Sequence, residues 1–253
     1  MGELPAWIEG QGLAAAPEPD GALGCHTTAR VEAGVARFEA HHVERLQRDA
    51  QALGFRTPPA EGILAAFREL GGAAFGKAAG IVRIDLQAHP PKLVARARAL
   101  RPERVTWRAL SFGEPHPGPG RFAGVKLSAE PVLDAARARL AKTDADEILL
   151  ADRAGFWVEG ARSALLFENA SGQQSTPHPK RGGVRSIALA VLGEHLPDLR
   201  FGDLPTASIF DAGAVVALNA VRGARALTSL DGKPLGSGGP GLAERLNEIL
   251  SSS

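Results

Sequence analysis

Several residue types that would point to other classes of protein are scarce in this chain. It contains a single cysteine, which rules out an internal disulfide and is typical of a protein in a reducing cytoplasm. Tyrosine is absent, aromatic residues make up 5%, and the formal net charge is +1. No run of Lys and Arg exceeds two residues. Because nucleic-acid-binding proteins combine basic surfaces with aromatic side chains, we expect no nucleic-acid partner.

Long apolar runs are also missing. The longest apolar stretches are far shorter than the roughly 20 residues that a membrane-spanning helix needs. The start, MGELPAWIEG, lacks the basic and then apolar pattern of a signal peptide. We therefore expect no membrane association and a cytoplasmic location. The chain does have 253 residues, 44% of them apolar, which is enough for one large or two small domains.

The clearest break in the chain is the run GEPHPGPG at 113–120, most of which is proline and glycine. Such a run cannot hold a helix or a central strand, so we interpret it as a linker. It separates a small α/β domain at 1–112 from a larger domain at 121–253. The whole is predicted to be an α+β protein, because strand and helix patterns occur in both parts.

Periodicity predicts the elements of each part. Before the linker, strands are predicted around Glu32–Gly34 and over 79–89 and 104–112, and helices over 40–54 and 61–76. After it come a helix and a strand in 129–152, two strands that meet at Glu159–Gly160, a helix that opens on Gly182 and Gly183, two strands in 211–235, and a helix over 241–253.

Lys126 is the most unusual cation, because Phe122, Ala123, Val125 and Leu127 surround it with apolar side chains. A lysine withdrawn from water has a lowered pKa and can attack an aldehyde. The same pattern suits a lysine whose stem lies along a strand edge while its amine stays in water. Both interpretations remain open from the local sequence.

Glu159 also has apolar neighbours, and a glycine follows it. A buried carboxylate needs a cationic or protonated partner. That partner is either Arg162 or the protonated ring nitrogen of pyridoxal phosphate (PLP), a cofactor that such a pair turns into an electron sink.

Three weaker patterns suit a phosphate. Gly182 and Gly183 precede a predicted helix whose free N–H groups would attract an anion, although glycine also commonly punctuates loops. The turn in LNAVRG offers further N–H groups, and Arg45 shares a helix face with His42.

Metal and thiol chemistry are not expected. His41 and His42 point in different directions on a helix, and no ligand set at metal spacing accompanies them. In an extended segment Cys25 and His26 face opposite sides, so they do not form a thiolate–imidazole pair.

Taken together, these stretches occur in the order and spacing of one family. HHVERLQRDAQALG, ADEILLADRAGFWVEGARSALLF and LNAVRGARALTSLDGKPL resemble the fold-type IV PLP enzymes, the class IV aminotransferases. The resemblance covers about Gly24 to Leu235, and the spacing from Lys126 to Glu159, 159 − 126 = 33 residues, matches the lyases of this family. It implies a two-domain, D-amino acid aminotransferase-like fold with PLP between the domains, and a homodimer.

The resemblance also implies roles for individual residues. Lys126 would form the Schiff base with PLP and then act as general acid and base, and Glu159 would pair with the pyridine nitrogen. The guanidinium of Arg45 would bind the phosphate. Four backbone N–H groups would help it, those of Gly183, Val184, Ala220 and Val221.

The stretch GCHTTARV resembles the substrate-side strand of the aminodeoxychorismate lyases. In that subgroup a threonine at the position of Thr28 assists proton transfer, where aminotransferases tend to carry glycine. His26, Arg30 and Asn219 are further substrate-side candidates. The implied activity is a 4-amino-4-deoxychorismate lyase that gives 4-aminobenzoate and pyruvate for folate biosynthesis.

Two alternatives remain, because the segments after Lys126 and over 75–92 lack substrate motifs that the family often carries. The first is a class IV aminotransferase for branched-chain or D-amino acids. The second is a PLP-binding relic without catalysis.

Overall fold

The structure is a computed structural model that describes residues 4–15, 23–88 and 91–253. Within these ranges the chain divides into two compact units. The first contains the described residues as far as Pro102 together with Val125–Ala129, and the second contains Glu103–Gly124 and Glu130–Ser253. Both units combine sheet and helix, as the α+β prediction requires.

The first unit is one antiparallel sheet with two helices. Among the described residues the sheet has six strands, in the order β2 (Gly12–Ala14), β1 (Ala6–Ile8), β6 (Pro91–Ala99), β5 (Ala79–Ala88), β3 (Gly24–Glu32) and β4 (Val35–Ala36). The helices are α1 (Glu39–Leu53) and α2 (Ala60–Phe75). The predicted strand pair is confirmed as β3 and β4, which a turn at Ala33 and Gly34 with positive φ joins.

Alternation along β3 gives its two faces different environments. Cys25, Thr27, Ala29 and Val31 are all buried, and the residues between them point to the other side of the sheet. The helices cover the buried face: the apolar positions of α2, such as Phe67, are fully buried. Both helices end at glycine, as predicted, because Gly54 and Gly76 adopt positive φ.

The second unit is built on one mixed sheet. Its order in the described chain is β12 (Arg200–Gly202), β11 (Gln174–Pro177), β10 (Ala164–Glu168), β13 (Ala214–Asn219), β14 (Gly223–Leu230), β7 (Thr106–Ser111), β8 (Glu147–Ala151) and β9 (Trp157–Gly160), with β15 (Lys233–Pro234) paired to β14. Its helices are α3 (Pro131–Leu140), α4 (Ile187–His195) and α5 (Gly239–Ser252), and short 3₁₀ helices lie at Pro179–Arg181 and Thr206–Ile209. Buried aromatic and aliphatic side chains, among them Trp107, Trp157 and Phe167, form a core on this sheet.

The units divide at other points than the proline-rich run. Thr106–Ser111 pairs with β8 and β14, so it belongs to the second unit. The run 113–120 also lies within that unit, and Val125–Ala129 returns to the first. Proline and glycine therefore mark an irregular segment here, not the boundary between compact units.

None of the helices in the described ranges combines the length and the apolar content needed to cross a bilayer.

Two adjacent glycines of α2 give a matched test of the packing in the first unit. A Cβ at Gly71 would lie 2.5 Å from Cγ1 of Val31, whereas a Cβ at Gly72 would have no atom within 4 Å. We expect Gly71→Ala to lower the free energy of unfolding by about 1–3 kcal/mol through overpacking. Gly72→Ala should raise it by about 0.5–1 kcal/mol, because alanine is the better helix former. Urea unfolding measures both, and shifts of the same sign would contradict the contact of α2 with β3.

Candidate active site

Lys126 lies in a short extended segment that pairs with the edge of β3. The His26 N–H donates to the Lys126 carbonyl at 2.9 Å, and the Ser128 N–H donates to the Gly24 carbonyl at 2.8 Å. Cys25 and Leu127 form an antiparallel bridge between these two hydrogen bonds. The backbone of the lysine is therefore held as part of the sheet of the first unit.

Two buried carboxylates, from helix α1 and strand β5, also hold the segment that contains Lys126. The Lys126 N–H donates to Oδ2 of Asp49 on α1 at 3.0 Å, and the side chain of Asp49 is 1% exposed. Ser128 Oγ donates to Oδ1 of Asp85 on β5 at 3.0 Å, and Asp85 also binds Arg83 at 2.6 Å. Sequence reasoning missed both aspartates, although Asp49 falls on the buried stripe of α1 and was detectable as an acid at an apolar position.

The buried face of α1 also carries Arg45 and His42. Burial, and next the positive charges of Arg45 and Lys126, lower the pKa of His42 well below its usual value. His42 is thus neutral near pH 7, with Nδ1 2.5 Å from Oγ1 of Thr27. Arg45 and Lys126 therefore place two positive charges near a neutral His42.

The substrate-side candidates of β3 share one face of the strand. Thr28 is half-buried and lies opposite Arg83 of β5, and His26 lies opposite Asp85. Arg30 is two residues further along the same face, where it pairs with Glu32 at 3.2 Å. The structure therefore brings His26, Thr28 and Arg30 to one side of β3 and Thr27 to the other.

Cys25 is on the buried side and is chemically inert. Burial, and next the carboxylates of Asp49 and Asp85, raise the pKa of its thiol to about 12. It remains protonated at neutral pH, whereas a cysteine nucleophile must be a thiolate. In the described part of the chain no three His, Cys, Asp or Glu side chains group as a metal site.

In the second unit, Glu159 is a buried carboxylate on β9. Its Oε2 accepts the Val184 N–H at 3.2 Å. Its Oε1 is 3.3 Å from Nε2 of His116 and accepts no hydrogen bond from the residues that the structure describes. Arg162, the alternative partner for Glu159, lies 3.6 Å from Glu103 instead. His116 belongs to the run interpreted as a linker, where no sequence pattern points to a functional histidine.

The predicted helix start at Gly182 and Gly183 is wrong. Gly182, at φ 98°, ends the 3₁₀ helix Pro179–Arg181, and α4 begins only at Ile187, where Ser186 Oγ caps it by accepting the Leu189 N–H at 3.3 Å. The serine hydroxyl accepts one of the free N–H groups at the start of the helix, whereas glycine has no side chain that could do so. Of the expected phosphate donors, Val184 therefore lies in the loop before the helix, and its N–H serves Glu159.

The second expected phosphate turn is shaped by Asn219. Its Oδ1 accepts the N–H groups of Val221 at 3.1 Å and Arg222 at 2.8 Å, and Ala220, which follows Asn219 in the sequence, is buried. Its Nδ2 donates to Ser163 Oγ at 3.3 Å. Asn219, expected on the substrate side, therefore makes its described hydrogen bonds within the turn and to Ser163, the residue before β10.

The order of elements and the two sheets are those of fold-type IV enzymes. A hypothetical aminotransferase from Mycobacterium tuberculosis in its PLP-bound form matches with a TM-score of 0.81 at 19% identity, over 98% of this chain and 97% of that one. A branched-chain amino acid aminotransferase from Escherichia coli matches with a TM-score of 0.82 at 15% identity, over 98% and 93%. A putative 4-amino-4-deoxychorismate lyase from Legionella pneumophila matches with a TM-score of 0.78 at 18% identity, over 90% of each chain. At these identities the likeness establishes the fold.

The family follows from the sequence itself. The family model described as Amino-transferase class IV matches residues 24–230. The chain therefore belongs to the class IV aminotransferase family, whose members are PLP-dependent enzymes. A comparison with curated proteins finds no match. The predictions of a fold-type IV fold, a PLP-dependent enzyme and PLP as cofactor are confirmed.

Each unit, taken by itself, carries side chains that suit one part of PLP. Glu159 is a buried anion with an oxygen that accepts no hydrogen bond from described residues, which suits a protonated ring nitrogen. In the first unit, buried Arg45 carries a positive charge that suits a phosphate, and half-buried Lys126 carries an amine of the kind that forms a Schiff base with an aldehyde.

Beneath the Asn219 turn, Glu147 is fully buried and accepts the hydroxyl of Ser163 at 2.6 Å. Burial raises the pKa of Glu147 above its ordinary value. Between the ordinary glutamate pKa of about 4.3 and the raised value, the folded state binds more protons than the unfolded state. The free energy of unfolding should therefore fall as pH rises through this window, by at most about 1.4 kcal/mol per pH unit.

The test is urea unfolding of Glu147→Gln across that range. Glutamine does not ionise, so this variant should lose that part of the pH dependence. Exposed Glu244→Gln serves as the control and should keep it. A Glu147→Gln slope equal to that of the wild type would contradict the assignment.

Proposed function

We propose that this protein is a 4-amino-4-deoxychorismate lyase, which releases 4-aminobenzoate and pyruvate in folate biosynthesis. The observation that carries the proposal is the position of Thr28. Thr28 lies on the same face of β3 as His26. The His26 N–H donates to the Lys126 carbonyl at 2.9 Å, so the hydroxyl of Thr28 is two residues along the strand from the point where the Lys126 segment pairs with β3. The fold that the chain shares with the Legionella lyase supports the proposal. We also propose a homodimer, as the family resemblance implies, and a cytoplasmic location, which the single cysteine suits.

Each candidate residue has a defined task in this proposal. When bound, PLP supplies the electron sink that makes a proton on the amine-bearing carbon acidic. Lys126 Nζ holds the cofactor and then takes that proton, and Glu159 keeps a proton on the ring nitrogen. Arg45 binds the phosphate, helped by the N–H groups of Gly183 and Ala220.

Thr28 completes the proton transfer. Its hydroxyl assists delivery of a proton to the departing enolpyruvyl group, which leaves as pyruvate while the ring becomes aromatic. Aromatisation makes the elimination effectively irreversible. No keto acid is needed as a second substrate, which distinguishes this reaction from transamination.

Covalent attachment of the cofactor tests the role of Lys126. The protein loaded with PLP should become yellow, and borohydride should fix a pyridoxyl group on Lys126, found by peptide mass spectrometry. Lys126→Ala should give no covalent label, while exposed Lys233→Ala should label as the wild type does. A wild-type protein that binds no PLP, or a label at another lysine, would overturn this assignment.

The choice of reaction is tested through Thr28. Purified enzyme should release 4-aminobenzoate from aminodeoxychorismate with no keto acid present. Thr28→Gly should lower kcat by about 10²–10⁴-fold, the usual contribution of a proton-transfer group, and leave PLP affinity unchanged. Thr28→Ser should recover much of the rate because it keeps the hydroxyl. Amino-group exchange between glutamate and a keto acid, without 4-aminobenzoate release, would favour the aminotransferase alternative and reject the lyase.

A further inference from the structure

We infer that His116 is a positioning residue that, as a neutral imidazole, fixes the Glu159 carboxylate for the ring nitrogen of PLP. The inference rests on the proposed role of Glu159 in cofactor binding. It concerns a residue in the proline- and glycine-rich run that was expected only to link two domains.

The hydrogen bonding of His116 selects its protonation state. The Gly118 N–H donates to Nδ1 at 3.1 Å, so Nδ1 carries a lone pair. An imidazolium has hydrogens on both nitrogens and cannot accept this bond. His116 is therefore the neutral tautomer with its hydrogen on Nε2, the nitrogen 3.3 Å from Oε1 of Glu159.

The backbone carries the imidazole to this position. The His116 N–H donates to the Ala151 carbonyl at 2.8 Å, and His116 forms a parallel bridge with Asp152 at the end of β8. On the same strand, Leu150 is the register partner of Glu159 on β9. The segment around His116 thus acts as a short extension of the sheet, beside the strand that holds the carboxylate.

The loop at 182–184 closes the arrangement from the other side. A Cβ at Gly182 would lie 2.2 Å from the Gly118 carbonyl oxygen and 3.2 Å from Cε1 of His116, so only glycine fits against the imidazole segment. Two residues later, the Val184 N–H binds Oε2 of Glu159. Both the loop and the histidine therefore act on the same carboxylate.

The neutrality of His116 decides what Glu159 can bind. The Val184 N–H donates to this buried carboxylate, and the uncharged Nε2–H group of His116 contacts Oε1, with 3.3 Å between Nε2 and Oε1, without forming a hydrogen bond to it. Among the described residues, no Lys or Arg forms an ion pair with Glu159. Neutral donors orient an anion but leave its charge uncompensated. A cationic histidine would compensate the charge and remove the need for a protonated ring nitrogen. The site thus keeps its affinity for the pyridinium form.

The first experiment needs no cofactor. Long-range ¹H–¹⁵N correlation spectra of the full-length protein should show His116 with an unprotonated Nδ1 and a protonated Nε2, assigned by comparison with His116→Gln. Glu159→Gln should shift the His116 Nε2–H resonance, because the acceptor loses its charge. A doubly protonated His116, or an Nδ1–H tautomer, would overturn the inference whatever the protein catalyses.

The second experiment measures PLP affinity by absorbance titration. His116→Leu keeps bulk but has no donor, and we expect its affinity to fall about tenfold, which is about 1.4 kcal/mol. His116→Gln retains an N–H near the position of Nε2 and should stay within about threefold of the wild type. His178→Leu is the matched control. Nδ1 of His178 accepts the N–H of the residue two positions later, Lys180, at 3.0 Å, as Nδ1 of His116 accepts the Gly118 N–H. Unlike His116, His178 is not paired with a carboxylate in the described chain. The His178→Leu variant should bind PLP normally.

The outcomes separate the inference from the proposed function. Wild-type affinity in a folded His116→Leu variant would reject the role of His116 while leaving the PLP enzyme intact. If the wild type bound no PLP, the proposed function would fail, and the spectra would still decide the His116 tautomer and its contact with Glu159. If His116→Leu did not fold, as judged by circular dichroism, the glutamine variant and the wild-type spectra would carry the test.

Discussion

The hydrogen bond from the Lys126 N–H to the buried Asp49 carboxylate is the contact on which the position of Lys126 against helix α1 depends. It joins helix α1 to a segment 77 residues away in sequence, and a buried charged acceptor makes it stronger than an ordinary amide hydrogen bond. Arg45 lies one turn away on the same helix, so α1 positions both the lysine backbone and the cation proposed to bind phosphate. Loss of the acceptor would leave a buried N–H unsatisfied and release the segment from the helix.

Both units place a neutral histidine beside a charged group. His42 is neutral because burial and the nearby cations disfavour its protonation, so it adds no charge beside Lys126 and Arg45. His116 is neutral because the Gly118 N–H occupies its Nδ1 lone pair. In each case the imidazole supplies shape and hydrogen bonding but no charge, so it adds none to Lys126 and Arg45 in the first unit or to Glu159 in the second.

Local patterns account for the elements that carry strong periodicity. The spacing of Val43, Leu46 and Ala50 predicts α1 to within one residue at each end. The pattern does not reveal β6, because alternating Ala and Arg have little intrinsic preference for a strand, and pairing with β5 and β1 makes it one. For the site, Lys126, Glu159 and Arg45 are identified through family resemblance. Asp85 and His116 act on residues 43 positions away, so no local pattern reveals them. Asp49 stands out locally as an acid on the apolar stripe of α1, but its partner lies 77 positions away and is visible only in the structure.

In both predicted phosphate turns, a backbone N–H group is already hydrogen-bonded within the protein. In one turn the Val184 N–H binds Glu159, and in the other the Val221 N–H binds Asn219. A backbone N–H that already serves a carboxylate or an amide contributes less to an external anion, because binding would first have to break that bond. In the proposed function, the charge of Arg45 would therefore supply the main attraction for the phosphate. Asn219 in particular is held by Ser163, which donates to buried Glu147, so the geometry of this turn depends on a chain of polar groups in the interior of the second unit.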